Sequence, residues 1–263
     1  MFDTLKKIVK YPRLTVDYPK DRINPGFIMG KPDIDTAACT FCGECAGRCP
    51  SSAIALDVER KEIGVNLDEC IFCSLCEDVC PEKAVKMTSE FELAEKSRIY
   101  LRKEAPAIEI REVPDEAYEI IGRQVEEKAR KLFGRSLQIR EVDAGSCNGC
   151  DYEINAVNNP FNDLERFGFH FVASPRHADM LLVTGTASRN MELALIKTYN
   201  AAPDPKLVVA VGACACSGGI FKDSYATRNG IDRIVPVDVY IPGCPPRPQA
   251  IIYGILKALD RIE

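Results

Sequence analysis

Eight of the thirteen cysteines lie between residues 39 and 80, and they form a repeat. Cys39, Cys42, Cys45 and Cys49-Pro50 recur 31 residues later as Cys70, Cys73, Cys76 and Cys80-Pro81. Each half reads C-x2-C-x2-C-x3-C-P, with Phe41 recurring as Phe72, Ala53 as Ala84 and Ile54 as Val85. Three closely spaced thiols oblige the backbone to turn around whatever they hold. The fourth follows after three more residues and points away. The proline after it breaks the chain into the next element and removes an N–H donor. An odd cysteine count fits poorly with complete pairing, and the N-terminus carries no secretory or twin-arginine pattern, so metal ligation is the expected use of these thiols.

The repeat resembles the bacterial two-cluster ferredoxin, in which the fourth cysteine of each run ligates the other cluster. The resemblance implies a small α+β fold holding two 4Fe–4S clusters. Cys39, Cys42, Cys45 and Cys80 are then one ligand set, and Cys70, Cys73, Cys76 and Cys49 the other. Apolar runs at 53–56 and 84–87 read as strands of that fold. Zinc bound by paired CxxC motifs is the competing reading. It uses four thiolates per site and leaves the third cysteine of each run and the C-P ending unexplained. Ahead of the cysteines, residues 11–30 contain Tyr18-Pro19-Lys20 and Pro25-Gly26-Phe27-Ile28-Met29-Gly30. This lead-in is similar to that of the two-cluster ferredoxin subunit of respiratory complex I and of energy-converting hydrogenases, which implies packing on a partner subunit.

The chain has 263 residues, 46% hydrophobic and 28% charged, which suits two folded domains. A formal net charge of −5, made more acidic by ligating thiolates, argues against nucleic-acid binding. No run reaches the ~18–20 apolar residues of a membrane span, and the expected location is cytoplasmic, peripheral on the membrane through partner subunits. Residues 88–136 hold no cysteine. Within them Ala117, Ile121, Val125, Ala129 and Leu132 recur at helical spacing, with Pro114-Asp115-Glu116 as a start and Gly134 as a stop. That helix either docks the two domains or packs on its own.

From residue 137 the pattern changes to strands at 137–142, 179–184, 206–211 and 237–241, alternating with helices near 150–158, 190–201 and 246–261. Continuous apolar strands with helices between them indicate a parallel sheet covered on both faces. Loops at the carboxyl ends of such strands meet at one edge. Cys147, Cys150, Cys214 and Cys244 all follow strands, and the expectation is that they converge on one cluster. Cys216, two residues past Cys214, reads as a small buried filler. The expected domains are 1–90, a ferredoxin domain with its lead-in; 91–136, a charged linker; and 137–263, an α/β domain with one cluster.

Four motifs in the second domain stand in the order of a known family. They are Cys147-Asn148-Gly149-Cys150, Ser174-Pro175-Arg176-His177-Ala178-Asp179, Gly212-Ala213-Cys214-Ala215-Cys216-Ser217-Gly218-Gly219 and Ile241-Pro242-Gly243-Cys244-Pro245-Pro246. Residues 137–262 thereby resemble the small subunit of energy-converting (group 4, formate hydrogenlyase-type) NiFe hydrogenases and the homologous 20 kDa cluster subunit of complex I. The resemblance implies a flavodoxin-like fold and makes Cys147, Cys150, Cys214 and Cys244 the ligands of the cluster nearest the large partner's catalytic centre. The complex I subunit carries two adjacent cysteines at the first position. This chain has C-x2-C, as hydrogenase small subunits do, and Arg176-His177-Ala178-Asp179 is also more similar to the hydrogenase version.

The implied function is electron transfer through three 4Fe–4S clusters. Electrons pass from ferredoxin or a formate dehydrogenase-type donor to a NiFe site in a large subunit, within a complex that includes membrane-arm subunits. The alternative is the same role in a nickel-free complex I-like oxidoreductase reducing quinone or a sulfur compound; a freestanding carrier is a third reading, disfavoured by the size. The catalytic centre is expected in the partner, with no catalytic residue in this chain. Neither G-x-G-x-x-G nor a Walker A sequence is present. His170 and His177 form no metal set. Asp151 and Glu153, beside Cys150, read either as a proton relay or as helix N-terminal acids favoured by the macrodipole. Lys6, Lys7, Lys10, Arg13, Lys20 and Arg22 read either as a face for an anionic partner or lipid, or as a solvated basic face.

Overall fold

The computed structural model describes residues 6–7, 9–11, 14–16, 18–19, 29–102 and 136–259. The expected helix at 114–134 lies outside the described residues, as do Arg13, Lys20 and Arg22.

The cysteine repeat is also a backbone repeat. Phe41 and Phe72 (φ 57° and 55°), Gly43 and Ser74 (82° and 63°) and Ser52 and Lys83 (both 52°) all turn through the left-handed region at equivalent positions. Each pair of turns leads into one short helix, α1 (Glu44–Gly47) and α2 (Leu75–Asp78). Two antiparallel ribbons frame them. β1 (Pro32–Ile34) pairs with β4 (Val85–Met87), and β2 (Ile54–Asp57) with β3 (Glu62–Val65). Residues 54–56 and 85–87 of the expected strands are in β2 and β4; β1 and β3 were not expected.

The second half is a five-stranded parallel sheet. Its strands are β5 (Leu137–Asp143), β6 (Phe169–Phe171), β7 (Met180–Thr184), β8 (Leu207–Val211) and β9 (Val239–Ile241), in the order β6-β5-β7-β8-β9. Counted from β5 this is the 2-1-3-4-5 order of flavodoxin-like folds. Period-2 geometry sends alternate side chains to opposite faces. Leu137, Ile139, Met180, Leu182, Val209 and Ile241 pack on one face with Ile251 and Ile255. Leu181, Val183, Val208 and Ala210 pack on the other with Leu195 and Ala215. The covering helices are α3 (Gly149–Ala156), α4 (Arg189–Ala201), α5 (Ala213–Ser217) and α6 (Pro248–Ala258). α6 starts at Pro248, where the missing N–H forfeits no helical bond, and buries residues 250–257. No described helix is long and apolar enough to cross a membrane.

The two halves share a seam. Residue 95 adds to the β9 edge as an antiparallel bridge, with Glu95 N donating to Tyr240 O (2.9 Å) and Tyr240 N to Glu95 O (2.8 Å). Leu67 and Leu101 join the core on one face of the sheet, Tyr18 and Ala94 the core on the other. The lead-in straps the same domain: Val16 N donates to Phe161 O (2.9 Å), and the Arg166 guanidinium donates to the Val16 and Tyr18 carbonyls. Thr15, Val16 and Tyr18 of the lead-in thus pack on this chain's own second domain.

Candidate cluster-binding thiol sites

Two small pockets in the first domain are lined by the repeated cysteines. Cys39, Cys42, Cys45 and Cys80 surround one, with Ile63, Ala84 and Val85. Cys49, Cys70, Cys73 and Cys76 surround the other, with Ile54, Val65 and Met87. The exchange of Cys49 and Cys80 follows from direction. After α1 and α2 the chain leaves its own pocket and delivers its last cysteine to the other one. Each pocket receives two backbone N–H···S bonds at matching places. Phe41 N donates to Cys39 Sγ (3.4 Å) and Ala84 N to Cys80 Sγ (3.2 Å). Phe72 N donates to Cys70 Sγ (3.4 Å) and Ala53 N to Cys49 Sγ (3.3 Å). Such donors favour sulfur that carries negative charge.

In the second domain the cysteines come from three strand ends. Cys147 and Cys150 follow β5, Cys214 opens α5 after β8, and Cys244 follows β9. Between β5 and β8 lies β7, whose carboxyl end bears no cysteine. There Gly185 (φ +89°) lets the Gly145–Ser146 backbone cross, because a Cβ at 185 would stand 2.6 Å from the Gly145 carbonyl carbon. Gly212 (φ +91°) lies beneath Cys150; a Cβ there would stand 2.6 Å from Cys150 Sγ. Cys147 and Cys244 are exposed, while Cys150 and Cys214 are partly covered, so the site opens outward.

Unligated, the more buried of these thiols resist ionisation. Burial pushes Cys70 up to about 12 and Cys76 to about 11, and neighbouring cysteines add to both. Burial, then Cys244 and Cys147, push Cys214 up to about 11. Cys150 is raised further, by burial and then by Cys214, Cys244, Asp151 and Cys147. The mutual effects within each quartet are the repulsion that a cationic iron–sulfur core relieves, since ligation requires thiolates. In the first domain each set of four thiols rings a pocket, an arrangement that suits a multinuclear group.

The sites neighbour one another. Cys45 adds to the upward push on Cys76 of the second site, and Cys73 of that site adds to the push on Cys244 of the third. A cleft between the last two is lined by Phe72 on one side and by Gly243, Pro245 and Arg247 on the other. Cys216 is fully buried, with Sγ facing the carbonyls of Ile241 (3.6 Å) and Ala210 (3.9 Å), and is placed as a filler.

The carboxylates beside Cys150 are differently employed. Burial pushes the Asp151 carboxyl up, but hydrogen bonds from Glu141, Ser146 and Thr184 outweigh it and hold the group below its usual range. Asp151 thereby ties the Cys147–Cys150 loop to the ends of β5 and β7. Its partner Glu141 is pushed up to about 7 by burial and by the Asp151 carboxylate. Glu153 is raised by burial, against the opposing charge of Arg247. His177 lies in a short 3-10 turn and His170 on the β6 edge, and neither lines a thiol pocket. Glu141 was missed in the sequence. Its strand, Leu137–Asp143, also carries Gln138, Arg140 and Asp143, so one more charge there gave no distinct signal.

The family of the NADH ubiquinone oxidoreductase 20 Kd subunit matches residues 147–258, and the 4Fe-4S dicluster domain matches residues 31–81. Formate hydrogenlyase subunit 7 of Escherichia coli is 52% identical over 133 residues, which is 51% of this chain and 52% of that protein. A probable membrane-bound hydrogenase subunit, mbhJ, of Pyrococcus furiosus is 52% identical over 133 residues, 50% of this chain and 79% of that protein. An NADH-quinone oxidoreductase subunit of Geobacter metallireducens is 52% identical over 113 residues, covering 43% of this chain and 66% of the relative. The chain thus spans about half the length of the first of these relatives and a larger share of the other two. A chain in the structure of the archaeal membrane-bound sulfane sulfur reductase is 43% identical, covering 51% of this chain and 73% of that one, with a TM-score of 0.44.

Proposed function

The chain belongs to the family of the complex I 20 kDa subunit and its hydrogenase small-subunit homologues, with a 4Fe-4S dicluster domain at its N-terminal side, and from that premise we propose that it is the electron-transfer subunit of a membrane-associated energy-converting NiFe hydrogenase complex. The observation that carries the reading is the row of three four-cysteine sites within one chain.

Cys39, Cys42, Cys45 and Cys80 hold one 4Fe–4S cluster, Cys49, Cys70, Cys73 and Cys76 a second, and Cys147, Cys150, Cys214 and Cys244 a third. Bound clusters supply reversible one-electron transfer. The chain's own residues do the rest. The apolar linings cover part of each ferredoxin site, and the N–H donors of Phe41, Ala53, Phe72 and Ala84 favour the more negative state. The exposed Cys147 and Cys244 present the third site to a large partner subunit, which carries the catalytic centre. The first ferredoxin site, farthest along the row, faces the donor, a reduced ferredoxin or a formate dehydrogenase-type module. The C-x2-C of Cys147 and Cys150 favours a hydrogenase partner over a quinone-reducing one.

Nickel and iron in the complex, isolated anaerobically through this chain from its native host, test the reading. Nickel near one per copy, with hydrogen evolution from a reduced dye, supports it. Iron without nickel moves the assignment to a complex I-like oxidoreductase acting on quinone or a sulfur compound. Within the chain, Cys244→Ser is expected to abolish the EPR signal of the third cluster and leave the two ferredoxin signals; three intact signals would overturn the ligand assignment.

A further inference from the structure

The seam between the two domains contains a set of charges, built around two buried carboxylates, that the cluster-binding role does not require. Asp68 is fully buried in the ferredoxin domain, two residues before Cys70. Its Oδ2 accepts from Arg98 Nε (2.6 Å) and from Arg102 Nη2 (2.9 Å), while Oδ1 has no partner among the described residues. Arg98 reaches on across the seam, with Nη1 3.4 Å from Asp232 Oδ2, where the Tyr240 hydroxyl also donates (3.4 Å). Glu69, equally buried, pairs with Arg102 (3.1 Å) and with Lys222 (2.8 Å) of the second domain. Ser217 Oγ donates to the Asp68 carbonyl (2.6 Å). Arg98, Arg102 and Lys222 balance Asp68, Glu69 and Asp232, so the set is neutral as a whole.

Its position is as informative as its charge. Asp68 and Glu69 run directly into Cys70, and Ser217 ends the helix that begins beside Cys214. The set therefore joins the backbone of a cysteine loop of the second site to the backbone of a cysteine loop of the third. A cleft lined by Phe72 and the Gly243–Pro245 turn also lies between these two sites. An apolar seam tolerates small slides. A seam of buried charges does not, because any shift leaves a carboxylate or guanidinium in low dielectric without its partner. Buried ion pairs add little net stability over apolar packing, and in some proteins they serve to select one arrangement.

We propose that Arg98, held between Asp68 and Asp232, is a positioning residue that fixes the second ferredoxin site against the C-terminal site and so sets electron transfer between them. Electron tunnelling falls steeply with separation, so a loosened seam slows transfer without removing a cofactor. The proposal rests on the reading of the cysteines as ligands, and cluster content measured on the same samples separates the two.

The test uses the intact chain in its native complex, reduced and examined by pulsed EPR, with iron content and each cluster's signal measured in parallel. Arg98→Met is expected to keep the iron and the individual signals of the parent while losing the defined dipolar coupling between the second and third clusters. Arg98→Lys, which keeps a cation at Asp68, is expected to retain most of that coupling. Unchanged coupling in Arg98→Met overturns the clamp alone. Absence of the second or third cluster from the parent protein overturns both the clamp and the ligand reading. Should Arg98→Met fail to accumulate, Lys222→Met breaks only the half-exposed outer pair. A broadened inter-cluster distance distribution then supports the proposal, and an unchanged one overturns it.

Discussion

Position 212 admits no side chain. Its φ of +91° with ψ 158° lies in a region that is essentially glycine's alone, and a Cβ would stand 2.6 Å from Cys150 Sγ. Gly212→Ala therefore combines backbone strain of about 1–3 kcal/mol with displacement of a thiol. The expected outcome is loss of the third cluster's EPR signal with both ferredoxin signals retained. Cys49 offers a sharper test of direction. It stands in the first motif but lines the pocket of the second, so Cys49→Ser should impair the cluster of Cys70, Cys73 and Cys76 and spare that of Cys39, Cys42 and Cys45. Glu141 makes a prediction about pH. Its carboxyl rises to about 7 on folding, because of burial and then the neighbouring Asp151. Between the ordinary carboxylate pKa and 7 the folded state therefore binds more protons than the unfolded chain, and stability falls as pH rises through that window. Glu141→Gln should flatten that part of a stability–pH curve; an unaltered slope would mean that Glu141 does not titrate there. The cysteines and Gly212 stood in legible motifs. The Glu141–Asp151 contact did not, because it joins a strand to a helix through a turn that no local pattern specifies.

Among the elements, β7 is the clearest case of a sequence stating its own environment. Met180–Thr184 is buried along its whole length, between β5 and β8 and under packing on both faces. An unbroken apolar run bounded by Asp179 and Gly185 is what such a strand requires. Leu182→Ala leaves a cavity that neither face readily fills, and should destabilise the domain by about 2–5 kcal/mol in chemical unfolding. A loss below about 0.5 kcal/mol, the range of surface substitutions, would contradict central burial. The elements that escaped notice share a physical reason. β1, β3 and β6 are three or four residues long, too short for a period-2 pattern to declare itself. β6 further carries His170 between two phenylalanines on a sheet edge, where one side meets solvent. Helix α5 spans five residues and was visible only as the motif around Cys214. What made it a helix is the Gly212 turn before it and Gly218 (φ +93°) after it.

At the scale of the molecule, the composition of each half could be read but their junction could not. Its contacts pair residues far apart in sequence, such as Asp68 with Ser217 and Val16 with Phe161, and no window of sequence contains both partners. The junction also does structural work for the second domain. β9 is the edge strand of the sheet, and an unpaired edge of Val239–Ile241 would offer free N–H and C=O groups to another chain. Residue 95 covers it with a two-bond bridge, and Lys257, itself buried, pairs with Glu95 (2.8 Å). Tyr18, Ala94 and Leu101 complete the two apolar layers from outside the α/β domain. A fragment of residues 136–263 made alone would therefore expose a short edge strand, two incomplete apolar layers, and Asp232 without Arg98. It should associate or precipitate, and co-production of residues 1–135 should return it to solution as a complex of the two pieces. Light scattering from the fragment settles the matter. A monodisperse monomer that unfolds as cooperatively as the intact chain would show that the α/β domain is complete without the seam. A polydisperse fragment rescued by its missing half would show that the two domains fold into a single unit.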